Sequence, residues 1–141
     1  MDLRHLTPEM AVAPQITVAD VAEAAAMGFK TLIDNRPDEE ITPDLSAEVM
    51  RAACDAAGMA FYHLPYYPGE MTAELIADFE AAVGKCPAPV LAYCRSGTRS
   101  SHLWAMSQAG KMPIEEIVQR AAKWGYDHAP LVPLLIHHGQ H

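Results

Sequence analysis

The chain has 141 residues, half of them hydrophobic and a fifth charged, with 10 basic against 18 acidic side chains and a formal net charge of -8. That is an ordinary globular composition, long enough for one domain (1–141) with a real core. The acid excess argues against tracking a nucleic-acid backbone or an anionic membrane, and leaves a small anion in a locally basic loop as the compatible partner.

No apolar run approaches the roughly 18 residues that span a bilayer, and the N-terminus lacks the basic-then-apolar layout of a secretory signal, so a cytoplasmic protein is expected. The three cysteines, Cys54, Cys86 and Cys94, lack close spacing, there is no Cys-x-x-Cys pair, and the His-x-x-x-His spacing occurs only in the terminal cluster His137, His138 and His141, which reads as loose chain rather than a built metal site. Reduced thiols, no metal and no cofactor are the expectation.

Taken in order, the first 14 residues are mixed and hold two prolines, with a short strand expected at 10–13. Thr17 caps an alanine-rich helix that Gly28 closes. A strand at 29–33 runs into the charged loop Asp34-Asn35-Arg36-Pro37-Asp38-Glu39-Glu40, where Pro37 and the charges cannot continue a buried strand. Leu45, Val49 and Ala53 recur at helical spacing, so a helix is expected over 45–57, ended by Gly58. A strand at 59–64 stops at Pro65-Tyr66-Tyr67-Pro68-Gly69-Glu70. Thr72 then opens a helix with the apolar stripe Leu75, Ile76, Phe79 and Val83. A strand at 90–93 leads into a Gly-containing loop, followed by helices at about 100–109 and 114–123. The tail at 130–136 reads as a short packed helix and 137–141 as loose chain. Strands alternating with helices predict an α/β fold: a parallel central sheet of about four to five strands with helices on both faces, ligands binding at the carboxyl ends of the strands.

The chemistry concentrates at Tyr93-Cys94-Arg95-Ser96-Gly97-Thr98-Arg99-Ser100. An apolar strand delivers a cysteine into a turn that opens a helix. A thiol is useful at neutral pH only as the thiolate, which backbone N–H groups, a helix N-terminus and guanidinium favour. Gly97 lets the N–H groups of Arg95, Ser96, Thr98 and their neighbours face inward, and Arg99 offers a fork of donors to an oxyanion. The spacing is Cys-x4-Arg. Cysteine phosphatases carry His-Cys-x5-Arg-Ser/Thr, one residue longer and sized for phosphate; rhodanese sulfurtransferases carry a six-residue loop sized for a persulfide. The length here matches the second, whereas Arg99-Ser100 matches the end of the first.

Along its length, from about residue 10 to 135, the chain resembles the phosphatase-like domain of the β-lactamase-hydrolase-like proteins, a family also described in terms of sulfur transfer. The resemblance is carried by Gln15, Gly28-Phe29-Lys30-Thr31, Asn35-Arg36-Pro37-Asp38, His63-Leu64-Pro65, the 94–100 loop and Gly125-Tyr126-Asp127. It implies a cysteine (dual-specificity) phosphatase-like fold with a loop of rhodanese length. Some relatives join this domain to a metallo-β-lactamase-like persulfide dioxygenase; no His-x-His-x-Asp-His run is present here.

Two departures from the phosphatase pattern stand out. Position 93 is Tyr rather than His, and the loop that holds the acid Asp in such phosphatases offers only Glu70, with Asp34 and Asp38 as alternatives one loop away. Without an acid, alkyl phosphate hydrolysis loses on the order of 10² to 10⁴ in rate. The sequence therefore favours sulfur transfer: Cys94 takes sulfur from a sulfane-sulfur donor as a persulfide and passes it to a thiol acceptor. Arg99 and the loop, Ser100 included, stabilise the anion, Arg95 and Arg36 guide it, and Glu70 is the candidate acid. Phosphoester hydrolysis through a phosphocysteine ranks second, and a catalytically weak anion-binding or regulatory module third. Cys54 and Cys86 read as packing, Trp104 and Trp124 as core, and His63 and His102 as structural.

Overall fold

The computed structural model describes residues 1–140. Among them are five strands, β1 (Arg4–Thr7), β2 (Met10–Ala13), β3 (Thr31–Asp34), β4 (Ala60–His63) and β5 (Val90–Tyr93). The α-helices are α1 (Val18–Ala26), α2 (Ala47–Ala57), α3 (Ala73–Lys85), α4 (Thr98–Gln108), α5 (Ile114–Ala122) and α6 (Val132–Gly139). The sheet order is β1-β2-β5-β3-β4. The last four strands run parallel, and β1 closes one edge antiparallel to β2.

Parallel strands covered on both faces must be apolar throughout, and β2, β3 and β5 are buried at every position. Their side chains alternate between two cores. Val12, Ile33, Val90 and Ala92 pack with α3, α4, α5 and α6 through Phe79, Leu103, Trp104, Ile117 and Leu135. Ala11, Leu32, Leu91 and Tyr93 pack on the other face with α1 and α2 through Val21, Ala24, Met50 and Cys54. Helix α4 has buried residues all round because α3, α5, α6 and the sheet enclose it.

The helix caps follow the sequence. Thr17 and Asp20 form a capping box on α1, Ser46 caps α2 with Gly58 at φ +77° after it, and Thr72 caps α3. Three expectations need correction. Strand β1 lies in the stretch expected to be irregular, joined to β2 by a tight turn at Pro8-Glu9. Helix α4 starts at Thr98, directly behind the cysteine loop. At the tail, 137–139 belongs to α6, where His138 Nε2 sits 2.8 Å from Glu80 Oε1; His141 lies outside the described residues. No helix among the described residues is long and apolar enough to cross a membrane.

The fold joins the β3 end to α4 by one buried polar chain. Ser100 Oγ donates to Asn35 Oδ1 at 2.8 Å, and Asn35 Nδ2 donates to the Leu64 carbonyl at 2.9 Å. Both Ser100 and Asn35 are fully buried. Ser100→Ala strands the Asn35 acceptor, so urea unfolding is expected to show a loss of about 1–3 kcal/mol; an unchanged midpoint would mean that the chain does not hold the two elements together.

Candidate active site

Strands β2, β3, β4 and β5 end side by side at Ala13, Asp34, His63 and Tyr93, so their following loops share one edge. Strand β5 is central, and the cysteine loop is tied to both neighbours. The Asn35 N–H donates to the Tyr93 carbonyl at 2.9 Å, and the Gln15 N–H to the Arg95 carbonyl at 3.2 Å.

Cys94 is fully buried. Its Sγ accepts the Gly97 N–H at 3.1 Å. Gly97, at φ +88°, is the N-cap of α4 and supplies no side-chain cap of its own; the Thr98 N–H makes a long 3.4 Å contact to Ser96 Oγ, so the helix N-terminus is only weakly capped and can meet an anion. Ser96 and Thr98 tighten the turn through a 2.9 Å contact between their hydroxyls. Arg95 and Ser96 are exposed at the loop surface.

Arg99 is the most heavily constrained side chain of the loop. It grips Glu40 at both carboxylate oxygens, 2.9 Å from Nη1 and 2.7 Å from Nη2, and Nη1 also donates to the Tyr66 carbonyl at 2.6 Å. Those bonds use three of five N–H donors. The Nε–H and the second Nη2 N–H, adjacent on the other edge of the guanidinium, remain for an oxyanion. The hydrogen bond to Glu40, with a further contribution from the nearby Cys94 sulfur, raises the Arg99 pKa; the same pair holds the Glu40 carboxyl below its ordinary range.

Arg36 stands behind this clamp. Its Nε lies 3.3 Å from Glu40 Oε1, Nη2 donates to the Glu40 carbonyl at 3.0 Å and Nη1 to Gln15 Oε1 at 3.0 Å. Its guanidinium therefore braces Glu40 and Gln15; it makes no bridge to Asp34 or Asp38. Ser100 likewise spends its hydroxyl on Asn35. Glu70 is exposed. Of the alternative acids, Asp38 Oδ1 accepts the first amide of α2, from Ala47, at 2.9 Å. Asp34 is fully buried on the α1/α2 side, and burial pushes its pKa up to about 6.

Asp34 belongs to a row across the sheet, Tyr93, Asp34 and His63, paired strand to strand. The Tyr93 hydroxyl is near enough to act on the carboxylate without forming a well-shaped hydrogen bond, and His63 Nε2 lies 3.9 Å from Asp34 Oδ2. Asp34, His63 and Asp38 bring one donor atom each within 4.8 Å of one another, the grouping among the described residues that a metal ion would fit. Several of those donors already serve the protein, Asp34 Oδ1 taking the Arg36 N–H at 2.9 Å and His63 Nε2 lying 3.1 Å from the Arg36 carbonyl.

Aromatic and imidazole groups form the remaining wall. The Tyr66 hydroxyl meets His102 Nδ1 at 3.2 Å, and the His102 ring lies 5.1 Å from that of His128. The Tyr126 hydroxyl donates to the Ser96 carbonyl at 3.0 Å. Glu40, Tyr66 and Tyr126 were not identifiable as partners from the sequence, since each approaches the loop from a distant segment.

A family model described as the phosphatase-like domain of β-lactamase hydrolase-like protein matches residues 2–111. The chain belongs to that family. The chain is similar to the β-lactamase hydrolase-like proteins of Agrobacterium fabrum, 28% identical over 125 residues, and of Xylella fastidiosa Temecula1, 27% identical over 129. The alignments take in 87% and 90% of this chain but 29% and 30% of those proteins, so the chain spans less than a third of the curated relatives it matches. Among solved structures, a candidate phosphatase from Neisseria meningitidis is 33% identical with a TM-score of 0.83, over 98% of this chain and 99% of that one. A kinase-associated phosphatase, solved with its catalytic-site cysteine replaced by serine, superposes with a TM-score of 0.73 at 12% identity, over 91% and 84% of the two chains. The fold of this family member is therefore the cysteine phosphatase fold, as the sequence resemblance implied.

Two measurements check the site's electrostatics. Glu40→Ala leaves two guanidinium groups without their carboxylate and is expected to cost about 2–3 kcal/mol in urea unfolding; wild-type stability would show the clamp to be incidental. Burial, aided by the neighbouring His128, lowers the His102 pKa to about 4. The unfolded chain then binds the proton first, so the His102 contribution is present above the unfolded pKa of about 6.5 and lost as pH falls toward 4. His102→Gln should flatten the fall in Tm across that window, a contribution of at most about 3 kcal/mol; an acid limb identical to wild type would remove His102 from the account.

Proposed function

We propose that the chain is a cysteine-dependent phosphatase acting on small phosphate monoesters with acidic leaving groups. The observation that carries the reading is the Arg99 clamp. Glu40 and Tyr66 hold one end of the guanidinium so that its open edge is left beside Cys94, at the N-terminus of α4. A phosphate dianion placed there meets a charged fork, the Gly97 N–H and a helix N-terminus together. The Cys94 thiolate attacks phosphorus; the S–P bond forms as the P–O bond breaks, and the leaving oxygen departs with a proton from solvent or from an acid. Water then hydrolyses the phosphocysteine, returning the thiolate and inorganic phosphate. The fold supports this reading, as do the solved neighbours described as phosphatases.

A second reading, sulfur transfer through a Cys94 persulfide, keeps the support of two observations. The 94–99 loop is one residue shorter than the phosphatase pattern, and Glu70, the carboxyl expected to supply the proton, lies exposed. A sulfane donor releases a stable anion and needs no acid. The family and the solved phosphatase neighbours favour phosphate over sulfur.

The two are separated by parallel turnover assays with an aryl phosphate and with thiosulfate or glutathione persulfide, on wild type and Cys94→Ser. Phosphate release lost in Cys94→Ser, by about 10³-fold or more, is the expected result. Sulfur transfer without phosphate release would reverse the ranking, and turnover surviving in Cys94→Ser would remove the cysteine from both.

A further inference from the structure

One peptide group decides what faces the Cys94 sulfur. A trans peptide is planar, with its C=O and N–H pointing in opposite directions. The Ser96–Gly97 peptide directs its N–H inward to Cys94 Sγ at 3.1 Å. Its carbonyl consequently points outward, where two side chains hold it. The Tyr126 hydroxyl donates to it at 3.0 Å, and Arg4 Nη1 makes a longer contact at 3.4 Å while donating to the Tyr126 oxygen at 2.7 Å.

Such a brace is needed here because the peptide ends in a glycine. Gly97 sits at φ +88°, in a region where glycine moves between conformations at little cost. Turning this peptide over would replace an N–H dipole at the sulfur with a carbonyl oxygen, which repels a thiolate. Nothing on Gly97 itself resists that turn, and a Cβ there would collide with the Tyr126 hydroxyl. The loop therefore depends on contacts from outside it to keep the correct dipole inward.

We propose that Tyr126 and Arg4 are positioning residues that lock the Ser96–Gly97 peptide and so activate Cys94 from outside the loop. The inference rests on Cys94 being the reacting group and holds for a phosphoryl or a sulfur substrate alike. It also gives β1 a purpose beyond edge closure. Arg4 reaches the loop from 92 residues away, steadied by Asp2 at 2.7 Å and by stacking 5.3 Å over the Tyr126 ring. The strand is pinned independently of the loop, by Arg120 on the Leu6 carbonyl at 2.9 Å and by Trp124 Nε1 on the His5 carbonyl at 2.8 Å.

The readout is the rate of iodoacetamide alkylation, mapped to Cys94 by mass spectrometry, from mildly acid to mildly alkaline pH. The charged and titratable groups near the sulfur are Arg99, with Glu40 bound to it, and Tyr66, Tyr126 and Arg4. Tyr126→Phe and Arg4→Lys leave the charge of that set unchanged over the acid limb while removing the geometry. Both are expected to move the alkylation midpoint upward, with Cys94 about three- to tenfold slower on the acid limb. Trp124→Phe is the structural control: it lowers Tm and leaves the midpoint in place. A midpoint equal to wild type in Tyr126→Phe overturns the proposal; should that variant fail to fold, the same result in Arg4→Lys does so. Alkylation needs no substrate, so absence of phosphatase turnover would leave this test standing.

Discussion

The Glu40 carboxylate is the constraint on which the carboxyl edge of the sheet depends. It lies between two guanidinium groups, accepting both terminal nitrogens of Arg99 and the Nε of Arg36. Carboxylate and guanidinium match as two forks, so the pair fixes orientation as well as distance. Orientation matters here because Arg99 has only one edge left to offer. Arg36 in turn ties Glu40 to Gln15, at the end of the strand neighbouring β5. Three loops from three strands are thereby registered on one another, the preorganisation that the proposed anion site would need in order to gain from its charges.

Behind that clamp the architecture is what a buried parallel sheet demands. Strand β5, buried at every position, delivers Tyr93 and Cys94 to the edge, and α4 follows from Thr98 with no side-chain cap from Gly97. The polar groups admitted to this interior are placed in chains: Ser100 with Asn35 and Leu64, Tyr66 with His102, Tyr93 beside Asp34 and His63. The first two join α4 to the loops after β3 and β4, and the third runs across the ends of β5, β3 and β4.

Most of the fold was legible from residues close together in sequence. Thr17, Gly58 and Thr72 announce helix ends through bonds to their own neighbours, and the apolar run at 90–93 followed by Cys94 and Gly97 marks the candidate nucleophile loop. The hidden parts depend on partners far apart. Glu40 sits in a run of charges where no acid stands out, and it is singled out only when the fold carries it to Arg99, 59 residues on. Tyr126 belongs to a Gly-Tyr-Asp stretch with no local signal of chemistry. Strand β1 is four residues long, partly exposed and followed by Pro8, so its pattern is that of a loop until β2 pairs with it. Arg36, Ser100 and Glu70 show the converse: residue types suited to anion or proton work, of which the first two are occupied with supporting neighbours and the third is exposed.

In the proposed reaction Cys94 carries the transferred group. Rapid acid quench of the protein during turnover of an aryl phosphate, followed by peptide mass spectrometry, tests it most directly. A Cys94-containing peptide heavier by one phosphoryl group, absent in Cys94→Ser, is the expected result. Phosphate release with no covalent adduct on Cys94 at any quench time, in a protein whose Cys94→Ser variant is equally active, would contradict it.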